Sequence, residues 1–213
     1  MASQAPPAIK SVTDSWTFTH RSWIGAAFLV PAGVAIMLSK PWLNEGAPLA
    51  LTFDFVGWIL FLAYVSLRLW STLYVGGVKD KILQTSGPYS ITRNPLYVGG
   101  FCFAFSIAFF LKSVSLVIFA LLAAFAYVRW VVAAEEEVLE SLFGESYREY
   151  KRQVPRVIPD LSLYRAAPTV EVRLRALRTE AQRLWTAALT PFLVFCFLHF
   201  RNATWWPHWF TLP

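Results

Sequence analysis

Apolar runs long enough to cross a bilayer, separated by charged stretches, constrain this chain more than any other feature. Backbone amides in hydrocarbon must bond within their own segment, so such runs fold as helices. From Trp23 to Leu38 the sequence is apolar, holds Pro31, and stops at Lys40-Pro41, which suits a short or kinked first crossing. Phe53 to about Tyr74 is a longer second run. It carries Trp58, Trp70 and, near one end, Arg68, whose guanidinium snorkels or meets an acidic or ligand partner. After Gly76-Gly77 a polar stretch, Val78 to Asn94, meets Pro95, the favoured first residue of a helix, so a third crossing runs from Pro95 to Leu111. The chain turns at Lys112-Ser113 and returns from about Val114 to Val132 as a hairpin, with Gly99, Gly100, Ala104 and Ser106 as small surfaces for the contact.

Glu135, Glu136 and Glu137 do not belong in lipid, while Val138, Leu139, Leu142, Phe143, Tyr147 and Tyr150 recur at helical spacing. This predicts a membrane-surface helix pair, interrupted at Gly144 and ended by Pro155 and Pro159. Arg165 to Arg183 is basic and amphipathic, and Leu184 to Phe200 is a last apolar run of roughly 17 residues, near the lower limit for spanning, with Pro191 inside it.

The composition agrees: 56% of residues are hydrophobic, 15% charged, and the mean hydropathy is +0.47, against about 25% charged in globular domains. This argues against a soluble enzyme and excludes a disordered chain, a collagen-like repeat and a disulfide scaffold. Cys102 and Cys196 sit in apolar runs as packing residues, and His20, His199 and His208 lack metal-ligand spacing, so no metal is expected. The net charge of +6 reflects basic residues between hydrophobic segments and implies a membrane's cytoplasmic face, with no nucleic-acid partner. Lys79, Lys81 and Arg93 fill one loop; Arg148, Lys151, Arg152, Arg156, Arg165, Arg173, Arg175, Arg178 and Arg183 fill another, and both should be cytoplasmic. The expected architecture is an all-α integral membrane protein with about five transmembrane helices. Its polar N-terminal tail, Met1 to Ser15, is cytoplasmic and its C-terminus extracytoplasmic, with Trp205, Trp206 and Trp209 as an interfacial belt. The short loops point to a bacterial inner membrane.

Two polar clusters bracket the third and fourth helices on one side: Lys81 to Tyr97, and Glu135-Glu136. The first offers tyrosines, an arginine and a helix N-terminus that favours an anion; the second offers carboxylates that suit a ribose diol or an ammonium. Together they suit a zwitterionic nucleoside ligand better than an ion pathway, since no chain of acids or histidines crosses the bilayer. Among the acids, Glu137 is expected to face solvent.

At these residues the chain resembles the integral-membrane methyltransferases typified by isoprenylcysteine carboxyl methyltransferase and the phospholipid methyltransferases. The match is Thr85-Ser86-Gly87-Pro88-Tyr89, then Arg93-Asn94-Pro95-Leu96-Tyr97-Val98-Gly99, then Glu135-Glu136 with Leu139, Phe143-Gly144, Tyr147, Tyr150, Val154-Pro155 and Ile158-Pro159. It covers roughly residues 53 to 160. The resemblance implies a cytoplasm-facing pocket for S-adenosylmethionine, with S-adenosylhomocysteine as product, built from the loop before helix 3 and the helix after helix 4. It implies a lipophilic or prenylated acceptor, or a membrane lipid, arriving from the bilayer. Lys81, Ile82, Leu83 and Gln84 should line the cofactor site, Tyr89 wall it, Asn94, Pro95, Leu96 and Tyr97 surround the cofactor at the helix start, and Glu135 bond a polar group of it. Arg93, Arg129 and Glu136 are candidate substrate contacts, and no catalytic residue stands out. Two positions depart from the family: Asn94 replaces the usual His, and Val131 stands four before Glu135 where the prenylcysteine enzymes place an Arg, with Arg129 two residues earlier and about 200° away on a helix.

On this reading residues 1–52 are a tail and first helix, 53–164 the methyltransferase core, and 165–213 a basic amphipathic segment with a last transmembrane helix. Two other functions share such a helical core: an NADPH-dependent sterol-type reductase, and a non-catalytic membrane protein that retains the fold. Phe143-Gly144 stands where the reductases have a Lys-Tyr-Gly type ending, which favours the methyl donor.

Overall fold

The computed structural model describes residues 30–40, 42–43, 46–76 and 82–211. The N-terminal tail, the start of the first apolar segment and Lys81 lie outside the described residues. Within that segment residues 30–38 form helix α1, followed by a two-residue strand β1, Ser39–Lys40. Then come α2 (Pro48–Val75), α3 (Pro88–Ile91), α4 (Pro95–Phe110) and α5 (Val114–Tyr127). A π turn, Val128–Val132, joins α5 to α6 (Ala133–Phe143), and α7 spans Glu145–Gln153. Beyond a 3₁₀ turn at Leu161–Leu163 follow α8 (Leu174–Ala188), α9 (Thr190–Arg201) and strand β2, Phe210–Thr211, parallel to β1.

Among the described residues three helical stretches are long and apolar enough to span a membrane: Pro48–Val75, Val114–Phe143 and Leu174–Arg201. The apolar helix Pro95–Phe110 is shorter, 16 residues, or roughly 24 Å at 1.5 Å per residue. Outward faces carry Phe55, Leu62, Leu122, Phe125, Phe192 and Phe195, all exposed, as a hydrocarbon solvent requires. The protein is an integral membrane protein.

Several boundaries differ from the sequence reading. Helix α2 starts at Pro48, ahead of Phe53, because proline at the first helical position is pre-organised for it. No break precedes Glu135; the chain passes from α5 through the π turn into α6 as one 30-residue stretch. The acids are accommodated because Glu135 and Glu136 turn into protein and only Glu137 faces outward. Likewise the basic segment and the last apolar run fuse, through Leu189, into one 28-residue stretch. The break at Gly144 (φ 55) and the end of α7 before Pro155 are as expected.

Helix α4 packs chiefly against α2 rather than α5. Gly99 therefore meets Leu67 and Arg68 of α2, while Gly100 faces open space. At the other end of this contact a Cβ on Gly57 would lie 2.8 Å from the Phe110 ring, so the helices approach closely only because position 57 lacks a side chain. Phe61, Tyr64, Phe110, Leu184, Val194 and Leu198 form the main core, which binds α8 and α9 to α2 and α4. A second core of Tyr147, Tyr150 and Val154, backed by Leu83, Leu139 and Phe143, seats α7 beneath α6. The hairpin turn is held by Lys112, whose ammonium lies 2.9 Å from Asp54, and by Ser113, whose Oγ accepts from Leu116 N at 3.2 Å as an N-cap. Trp206 Nε1 donates to Met37 O (2.8 Å) and Arg201 Nε to Ser39 O (2.9 Å), so the C-terminal residues strap onto the end of α1.

Candidate functional site

At the end of the molecule opposite the Lys112 turn, the C-terminal end of α2, residues 82–84, α3, the start of α4, α6, α7 and α8 enclose a cavity of about 500 Å³. Small-molecule sites of this size are common, roughly 300–1,000 Å³. Its walls include Ile82, Leu83, Gln84, Tyr89, Asn94, Pro95, Leu96, Tyr97 and Glu135. These are the residues that the sequence places around a cofactor, apart from Lys81, which lies outside the described residues.

Local backbone chemistry sets this geometry. Gly87 adopts φ 60 and lies against Tyr74 so closely that a Cβ would fall 2.3 Å from the ring, which makes glycine the residue for this turn. Pro88 then starts α3, a single turn that presents Tyr89 to the cavity. The segment after α7 clasps it: Gly87 N donates to Arg165 O (2.8 Å), Arg93 N to Pro155 O (2.9 Å) and Asp160 N to Ile91 O (2.9 Å).

Behind the cavity lies a clamp of buried charge. Glu136, only 2% exposed, accepts from Arg93 Nε at 2.9 Å, from Asn94 Nδ2 at 3.2 Å and from Arg156 Nε at 3.0 Å. Arg93 Nη1 also donates to the carbonyls of Lys151 (2.7 Å) and Val154 (2.8 Å), and Asn94 Nδ2 to that of Arg156 (3.0 Å). Glu136 and Arg93 each have a charged partner and further hydrogen bonds, the condition under which buried ions are tolerated, while Arg156 reaches in from the surface with its side chain 37% exposed. Asn94 supplies donors without acquiring a charge of its own. Of the three candidate substrate contacts only Arg93 borders the cavity. Glu136 lies behind it in the clamp, and Arg129 is exposed on the π turn, away from the cavity.

Glu135, next in sequence, points the other way. It lines the cavity and accepts a hydrogen bond from Tyr97 Oη. The Tyr97 ring rests against Tyr127, centroids 5.4 Å apart. Tyr150 Oη donates to Tyr89 O at 2.6 Å, which ties α7 to the wall. Burial raises the Tyr89 phenol above its ordinary pKa, with the Glu135 carboxylate adding to the effect. Burial does the same to Tyr147 and Tyr150, so all three remain neutral hydroxyls at physiological pH.

On a further wall Arg68 meets an acidic partner, one of the alternatives that the sequence left open. Arg68 of α2 makes a bidentate pair with Glu180 of α8, Nε–Oε1 2.6 Å and Nη2–Oε2 2.8 Å, and both border the cavity beside Thr72, Thr179 and Arg183. A signal existed: Glu180 is the lone acid of α8, and Arg68 the lone charged residue of α2 beyond Asp54. Isolated opposite charges on two membrane helices tend to meet.

A cavity lined mostly by apolar side chains, with four tyrosines and a few paired charges, at one end of an apolar helical bundle defines a membrane protein with a small-molecule-sized cavity. Comparison with known proteins specifies the class: residues 48–146 match the phospholipid methyltransferase family model. The chain is 36% identical over 191 residues to the cobalt-zinc-cadmium resistance protein CzcN of Cupriavidus metallidurans, covering 87% of this chain and 85% of that one. It is 33% identical over 215 residues to the nickel-cobalt-cadmium resistance protein NccN of Alcaligenes xylosoxydans xylosoxydans, covering 97% of each. A protein-S-isoprenylcysteine O-methyltransferase of Schizosaccharomyces pombe is 38% identical over 82 residues, 38% of this chain and 34% of that enzyme. No solved structure matches. The chain belongs to the phospholipid methyltransferase family of integral-membrane methyltransferases.

Proposed function

We propose that this protein transfers a methyl group from S-adenosylmethionine to a lipophilic acceptor at the membrane, and that the cavity holds the donor. The observation that carries the reading is the cavity's lining: the Glu135 carboxylate, bonded by Tyr97, shares one small space with Tyr89, with Leu83, and with Leu139 and Phe143 on its own face of α6. These groups fit an adenosyl sulfonium compound. Glu135 would accept from a ribose diol or an ammonium, the leucines and Phe143 would cover the base, and the tyrosine faces would stabilise a sulfonium cation. S-Adenosylmethionine supplies an electrophilic methyl group when bound.

The chain's own contribution is positioning and exclusion of water. The clamp around Glu136 fixes the start of α4 relative to α6, which sets where Tyr97 and Glu135 stand. Tyr147 and Tyr150, both buried, form part of the wall and would limit the approach of water, as a transfer in competition with hydrolysis requires. No acid or base is needed when the acceptor is already a carboxylate, a thiolate or a neutral amine.

We further place the cavity on the cytoplasmic side of a bacterial inner membrane. Arg93, Arg148, Lys151, Arg152, Arg156 and Arg183 cluster at its end of the molecule, in keeping with the positive-inside rule. With the apolar segment from Trp23 to Leu38 as a crossing, α2, α4, α5 to α6, and α8 to α9 complete five, the N-terminus inside and the C-terminus outside.

Incubation of membranes containing the protein with methyl-labelled S-adenosylmethionine, lipid extract and prenylcysteine analogues tests the reading. Label should enter the organic phase with the wild type and fall by about tenfold with Glu135→Gln, the worth of one hydrogen bond to a charged group. NADPH-dependent reduction of a sterol-type substrate in place of methyl transfer would replace it with the reductase reading.

A further inference from the structure

A second recess lies at the Lys112 turn, at the far end of the bundle from the cavity. Helix α2 packs chiefly on α8 and α9 chiefly on α4, so a gap opens between α2 and α9. The result is a groove of about 660 Å³. Its body is apolar, with Trp58 of α2, Phe110 of α4 and Phe192 and Phe195 of α9 along it. Its head is polar: Asp54, Lys112, His199 and Asn202 border it where α4 and α9 end.

The dimensions are those of one lipid leaflet. Ala188, at the inner end, and His199 lie eleven residues apart on the α8–α9 stretch, roughly 16 Å at 1.5 Å per residue. Half of a hydrocarbon core about 30 Å thick is nearly the same. Helix α4, at 16 residues, is shorter than that core, and a short spanning helix draws polar groups inward at its ends.

The charge at the head is asymmetric in what it shows. Lys112 Nζ lies 2.9 Å from Asp54 Oδ1, but the lysine side chain is 7% exposed and the aspartate 39%. A ligand entering the groove therefore meets the carboxylate, while the ammonium that balances it is covered. Arg201, between His199 and Asn202 in the chain, is buried against Ser39 and does not border the groove. His199 and Asn202 are both exposed and carry N–H donors. An acceptor for a cation beside donors for an anion, above an apolar slot, is complementary to a zwitterionic lipid.

We propose that this groove holds one phospholipid of the leaflet opposite the cavity and selects a head group that carries a primary ammonium. The ammonium sits on Asp54, the phosphate beside His199 and Asn202, and one acyl chain runs along Trp58, Phe192 and Phe195. This lipid is a resident of the fold that fastens α9 to α2. It is not a methyl acceptor, and its site stands whatever the cavity binds.

The test is native mass spectrometry of the full-length, delipidated protein titrated with phosphatidylethanolamine, phosphatidylglycerol and diacylglycerol of identical acyl chains. The wild type should hold one phosphatidylethanolamine about tenfold more tightly than either of the others, the scale of a charge-assisted hydrogen bond. Asp54→Asn should bring the three within about twofold. Ala188→Phe narrows the slot without touching the ion pair and should weaken phosphatidylethanolamine binding, with S-adenosylhomocysteine affinity within about twofold of wild type because the two sites lie at opposite ends. Equal or tighter binding of phosphatidylglycerol, no retained lipid, or a preference that survives in Asp54→Asn or is untouched in Ala188→Phe would overturn the proposal. So would a stable dimer, by light scattering, whose cross-links run through the groove.

Discussion

Glu135 and Glu136 are adjacent in the chain, about 100° apart on one helix, and belong to different regions. Glu136 looks inward to Arg93, Asn94 and Arg156, and its bonds are made within the protein. Glu135 looks into the cavity, where Tyr97 holds it. A membrane protein can thus carry paired acids at the end of a spanning helix when one is consumed in fixing the loops and the other, held by a tyrosine, faces a cavity. The π turn just before them shifts the helix register by one residue and so sets which way each of the two acids points.

That comparison can be broken from either side, and the largest effect should come from the clamp. Glu136→Ala leaves two guanidiniums facing each other without their carboxylate and should cost about 3–5 kcal/mol in chemical unfolding of the detergent-solubilised protein. A loss below about 1 kcal/mol would show that the network is not what holds α4 to α6. Glu135→Gln should act the other way round, lowering affinity for S-adenosylhomocysteine about tenfold while stability without ligand changes by less than about 1 kcal/mol.

Smaller effects sharpen the boundary between the two regions. Tyr150→Phe removes the bond to Tyr89 O and should cost about 1 kcal/mol. The phenols of Tyr89, Tyr147 and Tyr150 ionise at higher pH in the folded protein than in the unfolded chain. Above the ordinary tyrosine pKa of about 10 the unfolded state therefore binds fewer protons, and stability falls as pH rises. Thermal unfolding followed from pH 8 upward should begin to weaken near that value, and Tyr147→Phe should make the decline shallower. On the outer face of α7, Glu145→Ala breaks exposed pairs with Arg148 and Arg152 and should leave both stability and ligand binding unchanged within measurement error.

How much of this was legible in the chain follows from where each partner lies. Topology alone brought the segment before Pro95 to the acids after α5, because one tight hairpin joins them, and the pairing of Tyr97 with Glu135 follows from that. The role of Asn94 was harder to read: a residue at a helix start suggests a cap or a ligand contact, yet its amide is spent on Glu136 and the Arg156 carbonyl. Arg68 and Glu180 lie 112 residues apart, and nothing in local periodicity joins them. The unbroken stretch through the three glutamates was hidden as well, since charge at a membrane boundary reads as the end of a span when the burial of Glu136 by arginines from other segments is unknown.

The most direct measurement is calorimetric titration of the purified protein with S-adenosylhomocysteine and with NADPH, in wild type and Glu135→Gln. The wild type should bind the adenosyl compound saturably and NADPH not at all, and the substitution should weaken that binding about tenfold. Equal affinity in the two proteins, or binding of NADPH in its place, would contradict the claim that Glu135 and its cavity are the methyl donor's site.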